Sequence, residues 1–246
     1  MLQRLWKIVL EIVRPKSYAG LLGCITFLAA GYALIGDPEI ANIFTTIFGL
    51  LALMIASRAT SPNPKVFRFN VIFAIVIIAL FVVAIYLKLP LIHSNFARIT
   101  AIACMLIFIA NVTIMMLKDI FSSPVTVNKI CGAVCVYLLI GAIFEQLHTL
   151  TYCLDHNSYT FAYGADRKQA DLQLDVRAVF MYYSFTTLTT LGYGDITPLS
   201  RAARMLSWME AVVGQFYLSI LVARLVGLYI ADEIAKQITS ENDLEI

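Results

Sequence analysis

Between residues 186 and 198 the chain reads Thr186-Thr187-Leu188-Thr189-Thr190-Leu191-Gly192-Tyr193-Gly194-Asp195-Ile196-Thr197-Pro198. The run holds no nucleophile–base pair and no metal-ligating cluster, so any chemistry it performs lies in its backbone. Two glycines flank one tyrosine directly after a run of threonines. Glycine costs backbone entropy and is used where a chain must reach conformations closed to other residues. Gly192 and Gly194 allow a short strand to turn successive carbonyls towards one side. Such a row of oxygens, with the Thr190 hydroxyl below it, can replace the water around a dehydrated cation.

Those oxygens work only if other elements hold the strand at membrane depth. The composition permits this: 60% of the residues are hydrophobic and 14% are charged, against about 25% charged in soluble domains. A membrane-spanning helix needs roughly 20 apolar residues. Spans are predicted over residues 18–35, 40–56, 71–87, 96–117, 130–150 and 205–230. Residues 176–189 are too few to cross and fit a re-entrant half-helix that leads straight into the strand. The expected fold class is therefore an all-α membrane protein, with six transmembrane helices, a re-entrant pore helix and a filter loop. Arg58, Lys65, Arg68 and Lys118 mark the cytoplasmic side. The turn Gly36-Asp37-Pro38-Glu39, the loop over residues 88–95 and the polar segment over 151–175, with Asp155, Asp166, Asp171 and Asp175, then lie outside. Residues 1–17 place Arg4, Lys7, Arg14 and Lys16 beside Trp6 and several aliphatic residues. They read as a basic cytoplasmic interfacial helix, or alternatively as a disordered basic tail. No cleavable signal is expected there. The domain reading is thus 1–17 interfacial helix, 18–118 four-helix bundle, 119–230 pore domain and 231–246 short acidic cytoplasmic tail.

The motif resembles the filter of the tetrameric potassium channels. It differs from the commonest form, TVGYG, by Leu191 in place of valine, whose contribution there is its carbonyl. The likeness to six-span bacterial potassium channels of the ion-channel superfamily is specific over residues 176–230. Besides the filter, it rests on Glu210-Ala211-Val212-Val213-Gly214-Gln215-Phe216-Tyr217 and on Ala223-Arg224-Leu225-Val226-Gly227. Over residues 1–125 only the number of spans matches.

The resemblance implies a homotetramer around a central pore, because one chain has one filter strand. It implies K⁺ ions held by Thr190, Leu191, Gly192 and Tyr193, with Gly194 completing the filter, and no organic cofactor. Tyr182 and Tyr183 would form an aromatic cuff against Tyr193. Asp195 would sit at the outer mouth and bond back to the half-helix. Some relatives carry a glutamate in the half-helix that pairs with this carboxylate; the corresponding position here is Thr186, and Glu210 is the nearest alternative partner. Gly214 serves either as a bend in the sixth helix or as a close-packing residue. If Gln215 faces the cavity, helical spacing brings Leu218, Val222 and Val226 to the same face. Arg224 then points away from the pore, towards the interface or a headgroup. Anionic headgroups at the basic cytoplasmic residues are candidate contacts; nucleic acid is not an expected partner. The resemblance places the chain in a bacterial inner membrane, with both termini cytoplasmic.

A voltage sensor requires several moving charges, since one charge crossing 100 mV supplies only about 2.3 kcal/mol. The fourth span has Arg98 and Lys118 at its ends and no charge between. Weak or absent voltage dependence is therefore expected. Enzyme chemistry has little to stand on. The histidines are His93, His148 and His156, and Glu145 with His148 reads as a helix-capping pair rather than half a metal site. The five cysteines (Cys24, Cys104, Cys131, Cys135 and Cys153) lack metal-ligand spacing and suggest no disulfide framework. A membrane subunit of a potassium-uptake system, or a weakly selective cation channel, remain the alternatives to a potassium channel.

Overall fold

The computed structural model describes residues 18–35, 38–60, 68, 70–76, 91–122, 126–162 and 165–244. The interfacial helix expected over residues 1–17 lies outside them, as do residues 36–37, the second half of the third span and most of the loop at 61–69. The elements are α1 (Tyr18–Leu34), α2 (Pro38–Thr60), a helical segment over residues 70–76, α3 (Leu91–Ser122), α4 (Val127–Leu154), β1 (Tyr159–Phe161), α5 (Ala165–Leu188), β2 (Ile196–Pro198) and α6 (Arg201–Leu244).

Local chemistry accounts for many of the boundaries. Pro38 opens α2, where its missing N–H costs nothing. Thr126 caps α4 by accepting from the Lys129 N–H. Asp155 ends α4, and its carboxylate accepts from the Asn157 N–H in an Asx turn. Ser200 caps α6, its hydroxyl accepting from the Ala203 N–H.

Four boundaries differ from the sequence reading. α3 already begins at Leu91, so residues 91–95 are helix rather than loop. α5 begins at Ala165, ahead of the half-helix expected from 176. α6 does not stop at Ile230 but runs on to Leu244. β1 and β2 form an antiparallel pair with Tyr159 opposite Pro198 and Phe161 opposite Ile196, which no sequence signal announced. The two strands are three residues each, too short to show a period.

Among the described residues, three helical stretches are long and apolar enough to cross a membrane: Ile99–Ser122, Val127–Leu154 and Arg201–Gly227. α4 is the hub, packing on α1, α3, α5 and α6. One core joins α1 to α4 through Leu21, Leu53, Phe108, Val112, Met116 and Val136. Small residues sit at its contacts, with Ala56, Ser57, Ala74 and Ala133 all buried. This suits a membrane, where close backbone approach and interhelical hydrogen bonds replace the hydrophobic drive. Asn70 donates to Ser57, and Asn111 to Asn70, tying α2, the 70–76 segment and α3 together. At the other end of the bundle Asp119 accepts from both Tyr18 and Lys129. All five cysteines are free thiols.

Candidate functional site

The site is a loop of backbone, residues 189–195, between the end of α5 and β2. The α5 end is closed from within. Thr189 N–H donates to Phe185 O, and Thr190 N–H to Thr187 O. Thr186 O then accepts from both Leu191 N–H, at 2.8 Å, and Gly192 N–H, at 3.1 Å. The start of the strand is thereby tied to the helix carbonyls, whose end carries partial negative charge.

Beyond this tie the backbone alternates in hand. Thr190, Gly192 and Gly194 have φ of +59°, +50° and +79°, while Leu191 and Tyr193 between them do not adopt positive φ. Alternation of this kind turns successive carbonyls to one side. Gly192 and Gly194 reach it freely. Thr190 is the only described non-glycine residue with positive φ. For a β-branched residue this is a true outlier, costing about 1–2 kcal/mol. A strained residue within a threonine–glycine run marks a functional backbone.

Side chains hold the loop from outside. The Tyr193 ring stacks on Tyr182 at 6.4 Å between centroids and 5° between planes. The Tyr182 hydroxyl donates to Asp195 Oδ2 at 2.9 Å, so one tyrosine supports both ends of the Gly192–Gly194 turn. Asp195 Oδ1 accepts from the Ile196 N–H, and its carbonyl accepts from the Ala162 N–H, anchoring the loop to β1. Tyr183 is not part of a cuff around Tyr193. It turns the other way, into a buried cluster with Tyr159, Phe180, Ile196 and Ala203, and shares a 2.7 Å hydrogen bond with Ser207. Adjacent residues on a helix lie about 100° apart, so one of two neighbouring tyrosines must leave the filter side.

Thr186 is buried and spends its hydroxyl on Tyr183 O. Glu210 does not replace the missing half-helix carboxylate beside Asp195. It is fully buried on α6, where it meets His148 Nε2 at 2.9 Å and the Ser184 hydroxyl at 2.5 Å. His148 Nδ1 lies 2.7 Å from the Tyr159 hydroxyl. One tautomer serves both contacts: Nε2–H donates to Glu210, and Nδ1 accepts from Tyr159. Burial raises the Tyr159 phenol above its ordinary value, which keeps it a donor. Phe144, Phe180, Tyr183 and Tyr159 surround the imidazole. This chain of contacts links α4, β1, α5 and α6 behind the loop.

The helix-capping role read for Glu145 and His148 is therefore corrected. α4 continues to Leu154, and His148 is a buried crosslink. Sequence reasoning missed Tyr159 and Glu210 as its partners, Ser184 as a partner of Glu210 and Ser207 as a partner of Tyr183. The only signal was a histidine and a glutamate in apolar spans, where an ionisable residue is a functional hypothesis by default. Among the described residues no group of His, Cys, Asp or Glu could hold a metal ion.

α6 passes directly behind the end of α5. A Cβ on Gly214 would lie 2.3 Å from Leu188 O, so glycine is required there for close approach, and α6 stays helical through it. Gln215 Nε2 donates to the Thr190 hydroxyl at 3.3 Å. Leu218, Val222 and Val226 follow on the same side of the helix and are exposed in the single chain. Arg224 instead lies over the Phe121 ring at 4.7 Å, away from that face.

Residues 132–230 match a family model described as an ion channel. The match runs from within α4, through β1, α5, the loop and β2, to the membrane portion of α6. No curated protein and no solved structure matches the chain. The match and the three apolar helices support a membrane protein with an ion-channel domain.

Proposed function

We propose that four copies of this chain form a potassium-selective channel that passes K⁺ down its electrochemical gradient. The alternating backbone at residues 190–194 carries this reading. The carbonyls of Thr190, Leu191, Gly192 and Tyr193 would take the place of the ion's hydration shell, with the Thr190 hydroxyl closing the inner end. Loop backbone at membrane depth needs protein or a water-filled cavity beside it. One chain leaves Leu191 and Tyr193 more than half exposed, at 55% and 67%. A fourfold ring would cover those flanks and give each ion several oxygens.

Selectivity needs the oxygens held at fixed spacing. The tie to Thr186 O, the Tyr182–Asp195 bond and the His148–Glu210–Ser184 crosslink each support that role. The exposed α6 face of Gln215, Leu218, Val222 and Val226 would line the inner cavity, where the valines could gate by dewetting. The fourth span lacks a row of charges, so opening should depend weakly on voltage. The reading includes a bacterial inner membrane with both termini in the cytoplasm.

Purified protein in liposomes should release potassium along a gradient, and barium should block the release. Reversal potentials under a potassium/sodium gradient should approach the potassium equilibrium value. A reversal near zero would reduce the protein to a weakly selective cation channel. Flux that needs a second subunit would favour a potassium-uptake component.

A further inference from the structure

The first three helices and the pore domain do not close tightly on one another. Between α1, α2, α3, α4 and α5 lies an apolar cavity of about 270 Å³, partly open at one side. Leu53, Met105, Ile109, Leu139 and Phe185 line it. The volume is close to the lower end of small-molecule pockets, about 300 Å³. One end is different in kind. Glu145 and Arg177 line the cavity there, and Arg177 Nε stands 3.8 Å from Glu145 Oε1, too far for a hydrogen bond. Gln146 donates to the other oxygen, Oε2, at 2.8 Å. Oε1 is buried without a hydrogen-bond partner, in a residue 4% exposed. The Thr149 hydroxyl one turn on is near but also lacks hydrogen-bond geometry. A buried carboxylate oxygen without a hydrogen bond is unfavourable, and a donor entering the cavity would relieve it.

We propose that this cavity binds one acyl chain of an aminophospholipid from the outer leaflet, with the headgroup ammonium donating to Glu145 and the phosphate beside Arg177. Part of the apolar wall lies on α3 and α4, which are long and apolar enough to cross a membrane, and this gives a hydrocarbon chain direct access. Glu145 lies near the end of α4 that leads to β1 and the loop, so the polar end faces the filter side. The electrostatics choose the headgroup. A carboxylate and a guanidinium together have no net charge to attract an anionic lipid, but they complement a cation and an anion on one molecule. The orphaned oxygen requires N–H donors, which phosphoethanolamine has and phosphocholine lacks. The inference stands apart from potassium conduction, since it concerns binding alone.

The test uses full-length protein in vesicles containing trace phosphatidylethanolamine, phosphatidylcholine or phosphatidylglycerol, each with a diazirine halfway along one acyl chain. After illumination, adducts are mapped by peptide mass spectrometry. Phosphatidylethanolamine should mark Leu53, Met105 and Ile109 about tenfold more than either other lipid, as expected for one charge-assisted hydrogen bond. Ile107 and Ile114, exposed on the far side of α3, should be marked equally by all three. Glu145→Gln should abolish the preference. Gly49→Leu provides a second arm that leaves the polar end intact. Gly49 lines the cavity, and a Cβ there meets nothing within 4 Å, so the leucine fills the space and should remove the marks on Leu53, Met105 and Ile109 while leaving those on Ile107 and Ile114. Equal marking by all three lipids would overturn the headgroup assignment. Unchanged marking in Gly49→Leu would overturn the site. Failure of any lipid to reach these residues, as when a second copy of the chain covers the opening, would also overturn it.

Discussion

The pore domain and the bundle before it handle polar groups in opposite ways. Among the described residues, the buried carboxyl and imidazole side chains Glu145, His148 and Glu210 all belong to α4 and α6. The bundle buries only neutral groups, Ser57, Asn70 and Thr113. It is held by small-residue contacts, by short amide and hydroxyl links and, at one end, by the part-buried pair of Asp119 with Lys129. Burying a charge in a membrane protein is expensive, and among the described residues that cost is met on α4 and α6. Thr190 cannot keep a positive φ on local preference alone. It persists because the surroundings over-determine it, and a His–Glu–Ser crosslink joining four elements is one means of doing so. The described residues of the bundle have no positive φ to hold, and its buried polar side chains are neutral.

Removing His148 should show this contrast most strongly. His148→Ala leaves Glu210 buried without its main partner and should cost about 3 kcal/mol, the upper range for a hydrogen bond to a charged group, read as a lower melting temperature of the purified protein. A near-neutral result would place the pore and bundle on equal terms. Gly214→Ala forces a methyl against Leu188 O and should cost about 1–3 kcal/mol, with loss of potassium flux from liposomes. Were flux retained, the close approach of α6 to α5 would have no functional weight. Tyr182→Phe keeps the stacking on Tyr193 but loses the hydroxyl bond to Asp195. The bond is exposed, so the stability change should be no more than about 1 kcal/mol, while the potassium/sodium permeability ratio should fall. In the bundle, Asn70→Leu should cost only about 0.6 kcal/mol, the average for a polar link between membrane helices, and should leave selectivity alone. The smallest effect concerns voltage. Conductance in planar bilayers with symmetric potassium should change little between −100 and +100 mV, and a steep sigmoid would give the bundle a role its sequence does not suggest.

How far the sequence could be read depended on range. The candidate loop was legible because its residues are contiguous, with two glycines in alternate positions and a threonine before them. Most of the spans were legible because crossing is a matter of apolar length, as α4 shows. The early start of α3 at Leu91 was not, because polar residues such as His93 and Asn95 resemble a loop when only apolar length is scored. The continuation of α6 beyond Ile230 escaped for the same reason: Asp232 and Glu233 end an apolar run without ending a helix.

The sequence by itself marked the loop over residues 190–194, since Gly192 and Gly194 admit positive φ residue by residue and need no distant partner to be recognised. It also determined that the chain is a membrane protein, because helix length and apolarity are local sums. Only the tertiary structure decided that His148 faces Glu210, 62 positions away, that Tyr182 serves the filter while Tyr183 serves the core, and that Gly214 is a contact. The physical reason is angular. Each step along a helix rotates a side chain by about 100°, so a partner is set by how whole helices are turned against one another, and that is fixed by the sum of all their contacts.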